Sequence, residues 1–438
     1  MSAVEERLDL ALRLAAFDAW LETMRGPGGY GGPVAHWWHN CLRFTGPGLD
    51  RRYEGIVNGY LNLYEKTGDP RWRERARRAG DDLIRGQLPG GNFRDSHFEL
   101  NPYSGGTPHE AANSLTLLAL AEALQAEGDA AWETYLGAAA RNIKGYFIAR
   151  LWDAGMRMFS DGLDHATFVP NKAATLAEAL FKLAAMTGDE TFATAYALPT
   201  LEAILAHQVR GGPLDGAIDQ YSEKGRRVAW YFPFYIARCI PGLVAGYAWT
   251  QDERYLDAAG RAMDFVCRWR EEDGSFPQVI YPGGRVNRYP KWIAGVGDIL
   301  RAMTMVNALG FAYDQEPTRA WLLAGQESMG GFRTAWGFAA QASQRPPGPL
   351  PEFRDLLPVC GWADKAFRYL SEALPPGSQL PTRADRQPFA APCTVRGRRM
   401  TYREDDTQIE LLHQGTPVYR WRKGDPWVEI ATREVVWK

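Results

Sequence analysis

Thr67-Gly68-Asp69-Pro70 recurs along the chain as Glu127-Gly128-Asp129, Thr187-Gly188-Asp189, Thr250-Gln251-Asp252 and, degraded, Tyr313-Asp314. The aspartates fall 60, 60, 63 and 62 residues apart, each between two amphipathic helical patterns. A fixed period sets the architecture before any single residue does. Gly takes the left-handed conformation that ends one helix, and Asp caps the next by accepting a bond from a free N–H. The repeat is therefore a helical hairpin with a tight turn.

Apolar periodicity on either side of these turns predicts helices over about 3–25, 52–66, 70–86, 109–126, 130–151 and 171–187. It predicts six more over about 190–209, 233–250, 252–270, 291–311, 316–327 and 354–373. Of these twelve, the even-numbered ones are small or apolar on all sides, as in Ala111-Ala112-Asn113-Ser114-Leu115 and Ile293-Ala294-Gly295-Val296-Gly297. The odd ones carry a charged face, as with Arg71, Arg73, Glu74, Arg75, Arg77 and Arg78. Alternating buried and half-exposed helices point to a mainly α protein, an (α/α)6 toroid of six hairpins. An open solenoid is the competing architecture, but its usual periods are shorter, about 34–47 residues.

The turns from inner to outer helices are short. The returns from outer to inner run to about 15–25 residues and collect Gly, aromatics and charge, the mark of functional loops. All should emerge on one face, beside the N-termini of the inner helices, whose free N–H groups suit an anionic or hydroxyl-rich ligand. Residues 1–375 thus read as the toroid, and the proline-rich 376–393 as a linker. Residues 394–438 read as a small antiparallel β segment, with strands at Gln408–Leu412, Val418–Arg422 and Val428–Trp437.

A net charge of −2 gives no support to nucleic-acid or anionic-membrane binding. The amino terminus lacks a signal-peptide pattern, and no apolar run of 18 residues could span a bilayer. Five scattered cysteines, with no Cys-x-x-Cys pair, imply neither a zinc site nor a disulfide framework. A cytoplasmic protein without cofactor or metal is the expectation, acting on a small molecule or an oligosaccharide.

Candidate catalytic groups sit on the long returns and the inner-helix starts. They are Asp95, His97, His109 and Glu110; Asp164 and His165; and Asp219 with Tyr221. Candidate substrate-binding groups are Trp38 in His36-Trp37-Trp38-His39, Lys172, Trp230, Arg285, Arg288, Lys291 and Trp292. Two carboxylates astride a pocket can act as general acid and base on a glycosidic bond. His or Tyr beside a uronate neutralised by Arg or Lys can remove the proton α to the carboxylate. Each group also has a structural reading, because Asp and His in loops often cap helices and Glu110 suits a first helical turn.

The phrase Asp252-Glu253-Arg254-Tyr255-Leu256-Asp257-Ala258-Ala259 resembles outer-helix starts of six-hairpin glycosidases, sugar epimerases and uronic-acid lyases. Asp273-Gly274-Ser275-Phe276, with Gln87 to Phe93 and Gln326 to Phe332, is similar to the QW-type motif of terpenoid cyclases. The likeness spans about residues 3–375 and implies the α/α-toroid fold. It implies a carbohydrate-active enzyme of the hydrolase, lyase or epimerase type, acting on a polar, possibly uronic-acid-containing glycan. A terpenoid or prenyl-substrate enzyme and a non-catalytic binding ring are the alternatives. The Asp-x-Asp-Asp and Asp-Asp-x-x-Asp motifs of terpenoid chemistry are absent.

Overall fold

A computed structural model describes residues 3–34, 43–45, 48–96, 107–162 and 167–424. The first five helices are α1 (Ala3–Thr23), α2 (Arg52–Thr67), α3 (Pro70–Gly86), α4 (Thr107–Ala126) and α5 (Trp132–Asn142, continued by a π turn at Ile143–Ile148). Next come α6 (Pro170–Thr187), α7 (a π turn at Phe192–Ala197 running into Leu198–Ala206) and α8 (Pro233–Ala237 and Ile240–Thr250). The last are α9 (Glu253–Arg268), α10 (Val296–Asn307), α11 (Glu316–Leu323) and α12 (Cys360–Ala373).

The connectors work as their residues dictate. Asp69, Asp129, Asp189, Asp252 and Asp314 each accept a bond of 3.0–3.1 Å from the backbone N–H two residues on. The residue before four of them is left-handed, and at Gln251 (φ 57°) a side chain tolerates what Gly does elsewhere. The threonine has its own task. At 67, 187 and 250 its hydroxyl donates to the carbonyl four residues back and accepts from the Asp N–H.

The even helices pack in the sequence α2–α4–α6–α8–α10–α12, and α12 returns to α2, so the inner ring closes. Five hairpins follow the chain, and the sixth joins its two ends, α12 with α1. Glycines set the spacing. A Cβ on Gly55 would lie 2.2 Å from the Asp364 carbonyl oxygen, and one on Gly297 2.4 Å from that of Lys365. The backbones of α2 and α10 therefore meet that of α12 directly, as only Gly permits.

The outer ring is stitched by glutamines. Gln87 after α3 donates to its own loop at Gly91 and to the Ala138 carbonyl of α5. Gln208 after α7 does the same with Gly216 and Ala258 of α9. Gln326 after α11 does so with Gly330 and Arg13 of α1. The recurring Gln–Gly–aromatic pattern is thus a clamp from one outer helix to another, and the third clamp spans the chain's two ends.

Two expected helix starts move. Lys291–Trp292 pairs as a strand with Ala335–Trp336, so α10 begins only at Val296. Phe353–Leu356 is a 3-10 turn closed by a Glu352/Asp355 capping box, and α12 starts after Pro358.

Four antiparallel strands follow: β1 (Phe389–Val395), β2 (Arg398–Glu404), β3 (Gln408–His413) and β4 (Thr416–Arg422). β1 uses part of the stretch read as a linker. It is an edge strand, where Pro392 is tolerated. Arg396-Gly397 and Gln414-Gly415 have φ above zero at both positions, as tight hairpins require. The expected strand at Val428–Trp437 lies outside the described residues. The sheet docks on α1 through the buried Glu404, which accepts from Trp20 Nε1 (3.0 Å), Tyr402 Oη (2.8 Å) and Lys423 Nζ (2.7 Å).

Candidate functional site

Each long return ends at the start of an inner helix, and the starts of α2, α8 and α12 meet around Trp362 at one mouth of the inner ring. The first layer is aromatic. Trp362 in the first turn of α12 stacks on Trp292 at 4.3 Å between ring centroids, 19° from parallel. The Arg51 guanidinium, just before α2, lies 4.2 Å over the Trp362 ring, and Phe234 of α8 packs against it at 5.3 Å. Arg51 can sit on an indole because guanidinium is weakly hydrated and is drawn to the π face.

One turn deeper the layer is ionic. Glu54 of α2 accepts from Arg238 of α8 (3.0 and 3.2 Å) and from Arg368 of α12 (2.6 Å). Asp298 of α10 accepts from the same two arginines (3.3 and 2.6 Å), and Arg238 also donates to Thr175 of α6 (3.0 Å). Beside them Lys365 donates to Asp364 at 2.6 Å. Burial alone would raise Glu54 and Asp298, but Arg238 and then Arg368 hold Glu54 well below, and Asp298 below, the usual carboxylate range. Burial pushes Asp364 up to about 6 against the pull of Lys365, and it pushes Lys365 down. Three carboxylates and three cations thus form a net-neutral floor across the ring axis.

That floor was not foreseen. The inner helices are not small or apolar all round: Glu54 and Asp298 are each the third residue of theirs, and both are buried. The available signal was an acidic residue at the third position of α2 and of α10, in helices whose neighbouring positions are buried.

At the start of α4, His109 is buried near Asp50. Asp50 takes a two-pronged bond from Arg52 Nε and Nη2, each 2.8 Å, while Arg52 Nη1 donates to the Tyr30 carbonyl (2.8 Å). Burial works to raise Asp50, but Arg52 and, more weakly, His109 hold it below the ordinary value. Glu110 accepts from the Phe93 backbone N–H (3.2 Å), Ser96 Oγ (2.7 Å) and Asn142 Nδ2 (2.7 Å). Burial raises it to about 7 in spite of those donors. It ties the return after α3 to α4 and to the outer helix α5.

The other candidates fall into separate contact groups. Asp95 has φ 51° and lies 3.5 Å from Arg94. Lys172, in the first turn of α6, pairs with Asp161 at 2.8 Å, and Tyr146 feels the charges of both Glu110 and Asp161. Asp219 is buried beside Arg227 (3.9 Å) and Tyr231, and burial raises its carboxyl. Tyr221 opens a three-residue strand, Tyr221–Glu223, half-buried. Arg288 and Lys291 share Glu271, and Lys291 also meets Asp273 at 3.0 Å. Trp230 is exposed beside Tyr281, whose ring carries the Arg285 guanidinium at 3.9 Å. Trp38, His97, Asp164 and His165 lie outside the described residues. Among the described residues no three His, Cys, Asp or Glu side chains are grouped to hold a metal ion, and no helix is long and apolar enough to cross a membrane.

No protein-family profile and no curated protein matches the chain. Solved structures do. A cellobiose 2-epimerase from Bacillus thermoamylovorans B4167 superposes with a TM-score of 0.61 at 11% identity, covering 84% of this chain and 99% of that one. A D-mannose isomerase gives 0.60 at 13%, covering 85% and 99%. An unsaturated glucuronyl hydrolase specific for heparin gives 0.57 at 14%, covering 84% and 95%. At such identities the likeness is one of fold, and with the closed ring of inner helices it makes the chain an α/α toroid of the six-hairpin kind.

Proposed function

We propose that the protein is a carbohydrate-active enzyme of the glycoside hydrolase, polysaccharide lyase or sugar epimerase type, acting on a polar oligosaccharide at the mouth of the inner ring. The observation that carries this reading is the layering of the mouth, with the Trp292–Trp362 stack lying over a floor of six ionisable side chains. Both indoles are buried, so the stack and the ionic floor make a rigid, polar base under the mouth, of the kind that suits a hydroxyl-rich ligand held above it. A carbocation-forming prenyl substrate would call for an apolar, aromatic lining instead. The structural neighbours named above, an epimerase, an isomerase and a hydrolase of sugars, point the same way.

His109 is the group we assign to proton transfer, with Asp50 and Arg52 positioning it, and the assignment rests on its place at the start of α4 beside Asp50. Asp95, His97, Glu110, Asp164, His165, Asp219 and Tyr221 remain candidates. Lys172, Lys291 and Arg288 are candidates for holding substrate charge. A non-catalytic binding ring is the second reading, favoured by one observation: the ionic layer closes the axis below the mouth.

The test is a panel of neutral and acidic oligosaccharides. It is followed for new reducing ends, for absorbance of an unsaturated uronate, and by NMR for inversion at a sugar carbon. Turnover by any route, abolished in His109→Ala, supports the enzyme. Binding without turnover supports the second reading, and neither binding nor turnover overturns both.

A further inference from the structure

Trp230 is 43% exposed, and among the described residues no other tryptophan is so open to solvent. It is not on a loose loop. Its N–H donates to the Val228 carbonyl (3.0 Å), and the next residue, Tyr231, exchanges two backbone bonds of 2.9 Å with Ile280. Two hairpins therefore flank the indole just before α8 begins at Pro233. One pairs Tyr221–Glu223 with Arg226–Val228, and the other pairs Val279–Ile280 with Val286–Asn287.

Both hairpins bring cations. Lys224, Arg226 and Arg227 are exposed on the first, and Arg285 is exposed on the second. Arg285 is held flat on Tyr281 at 3.9 Å, and Tyr281 in turn is fixed by Asn287 Nδ2 (3.3 Å) and meets Trp230 edge-on at 6.2 Å. Among the described residues no ion pair is formed by Lys224, Arg226 or Arg285, which leaves their charges open to a ligand. The acids on this side are Glu223 and the buried Asp219, which faces Arg227 at 3.9 Å. In a chain of net charge −2, Arg285 is thus joined through Tyr281 to a rigid, exposed indole just before α8, and Lys224 and Arg226 lie on the hairpin that precedes that indole.

We infer that Trp230 and Arg285, next to the hairpin that carries Lys224 and Arg226, form a rim subsite for an anionic sugar unit of the oligosaccharide. The inference rests on the carbohydrate reading and narrows it to acidic substrates longer than one sugar. The indole takes the apolar face of the ring. The guanidinium, already stacked and so pre-organised, offers its N–H fork to a carboxylate or a sulfate.

The test uses the full-length protein and calorimetric titration with three tetrasaccharides of equal length: one bearing uronates, one bearing sulfates and one neutral. Wild type should favour an acidic ligand, and added salt should weaken that binding. Trp230→Ala and Arg285→Gln should each weaken acidic binding about tenfold, with Arg285→Lys restoring part of it. Neutral binding should change little in Arg285→Gln. The uronate and sulfate arms separate the two anions, and preference for either supports the subsite. Equal affinity for neutral and acidic ligands, or acidic binding unaffected in both variants, overturns it. Should turnover of an acidic saccharide persist with an unchanged KM in both variants, the rim assignment falls while the enzymatic reading stands. A variant that loses all three ligands together with several degrees of melting temperature would mark the residue as structural and likewise overturn it.

Discussion

Glu54→Ala removes the carboxylate that receives three bonds from Arg238 and Arg368, at 3.2, 3.0 and 2.6 Å. Two guanidiniums are then left sharing Asp298 alone, all of them buried between inner helices. Breaking a buried pair by deleting one partner costs about 3–5 kcal/mol, most of it the penalty of the stranded charge. Unfolding entropy near 60 °C is about 2.1 cal/mol/K per residue, hence about 0.9 kcal/mol/K for this chain if it melts as one unit. The expected fall in Tm is about 3–5 °C by calorimetry, and Glu54→Gln, which keeps an acceptor but no charge, should lie between. The pH dependence has a definite sign. Glu54 is depressed in the folded state, so its contribution is complete above the unfolded value of about 4.5 and is lost as pH falls through the folded one. The acid limb of Tm against pH should be shallower in the alanine variant. A variant melting at the wild-type temperature with an unaltered acid limb would refute the idea that this floor is a coupled ion network.

Gly55→Ala should lose about 1–3 kcal/mol, because its Cβ would sit 2.2 Å from a backbone oxygen of α12, whereas Gly137→Ala, with nothing nearer than 3.5 Å, should gain up to about 1 kcal/mol; opposite signs in paired melts are the check. Glu110 is raised to about 7, so its contribution is full below an unfolded value near 4.5 and is lost as pH rises through about 7. Relative to Glu110→Gln, wild type should therefore lose up to about 3 kcal/mol between those limits, and parallel Tm curves would contradict the assignment. Lys423→Met strands the buried Glu404 with Trp20 and Tyr402; faster amide exchange in β2–β4 and easier proteolysis at Arg383 or Arg386 should follow, with α6 and α8 unaffected. Gln326→Leu removes the bonds to Arg13 and Gly330 and should cost about 1–3 kcal/mol, read as a lower Tm together with faster exchange at the α11–α1 contact.

The fold was legible because its instructions are local. Asp69, Asp129, Asp189, Asp252 and Asp314 cap the helix that follows them wherever the rest of the chain goes, and their spacing alone counts the hairpins. The Gln–Gly–aromatic loops were visible as a pattern, but their purpose was not, since the acceptor of Gln326 lies 313 residues away on α1. The ionic floor stayed hidden for the same reason. Glu54, Arg238, Asp298 and Arg368 are ordinary charged residues in four separate helices, and they become partners only after the ring closes. Helix starts that depended on a distant strand, such as Lys291–Trp292 against Ala335–Trp336, were misplaced, whereas starts fixed by Pro170 and Pro233 were found within a few residues. Of the candidate side chains, those on inner-helix first turns (His109, Glu110, Lys172) were located by the toroid rule itself. Trp362 was overlooked because it sits inside a helical pattern that a linear reading treats as packing, and Arg51 because it stands at a helix edge where a charged residue is ordinary.

An unclosed array of hairpins can fray, shedding its terminal unit and working inward one repeat at a time. Here the first outer helix and the last inner helix are partners, and Gln326 fastens the last outer helix to the first. There is no terminal repeat to shed, and a chain break in any one connector would leave the ring of contacts closed. The intact chain should unravel at once or not at all, and a circular permutant opened at Gly128 or Gly188, where added side chains would meet nothing, should reassemble the same ring with its ends in a new place.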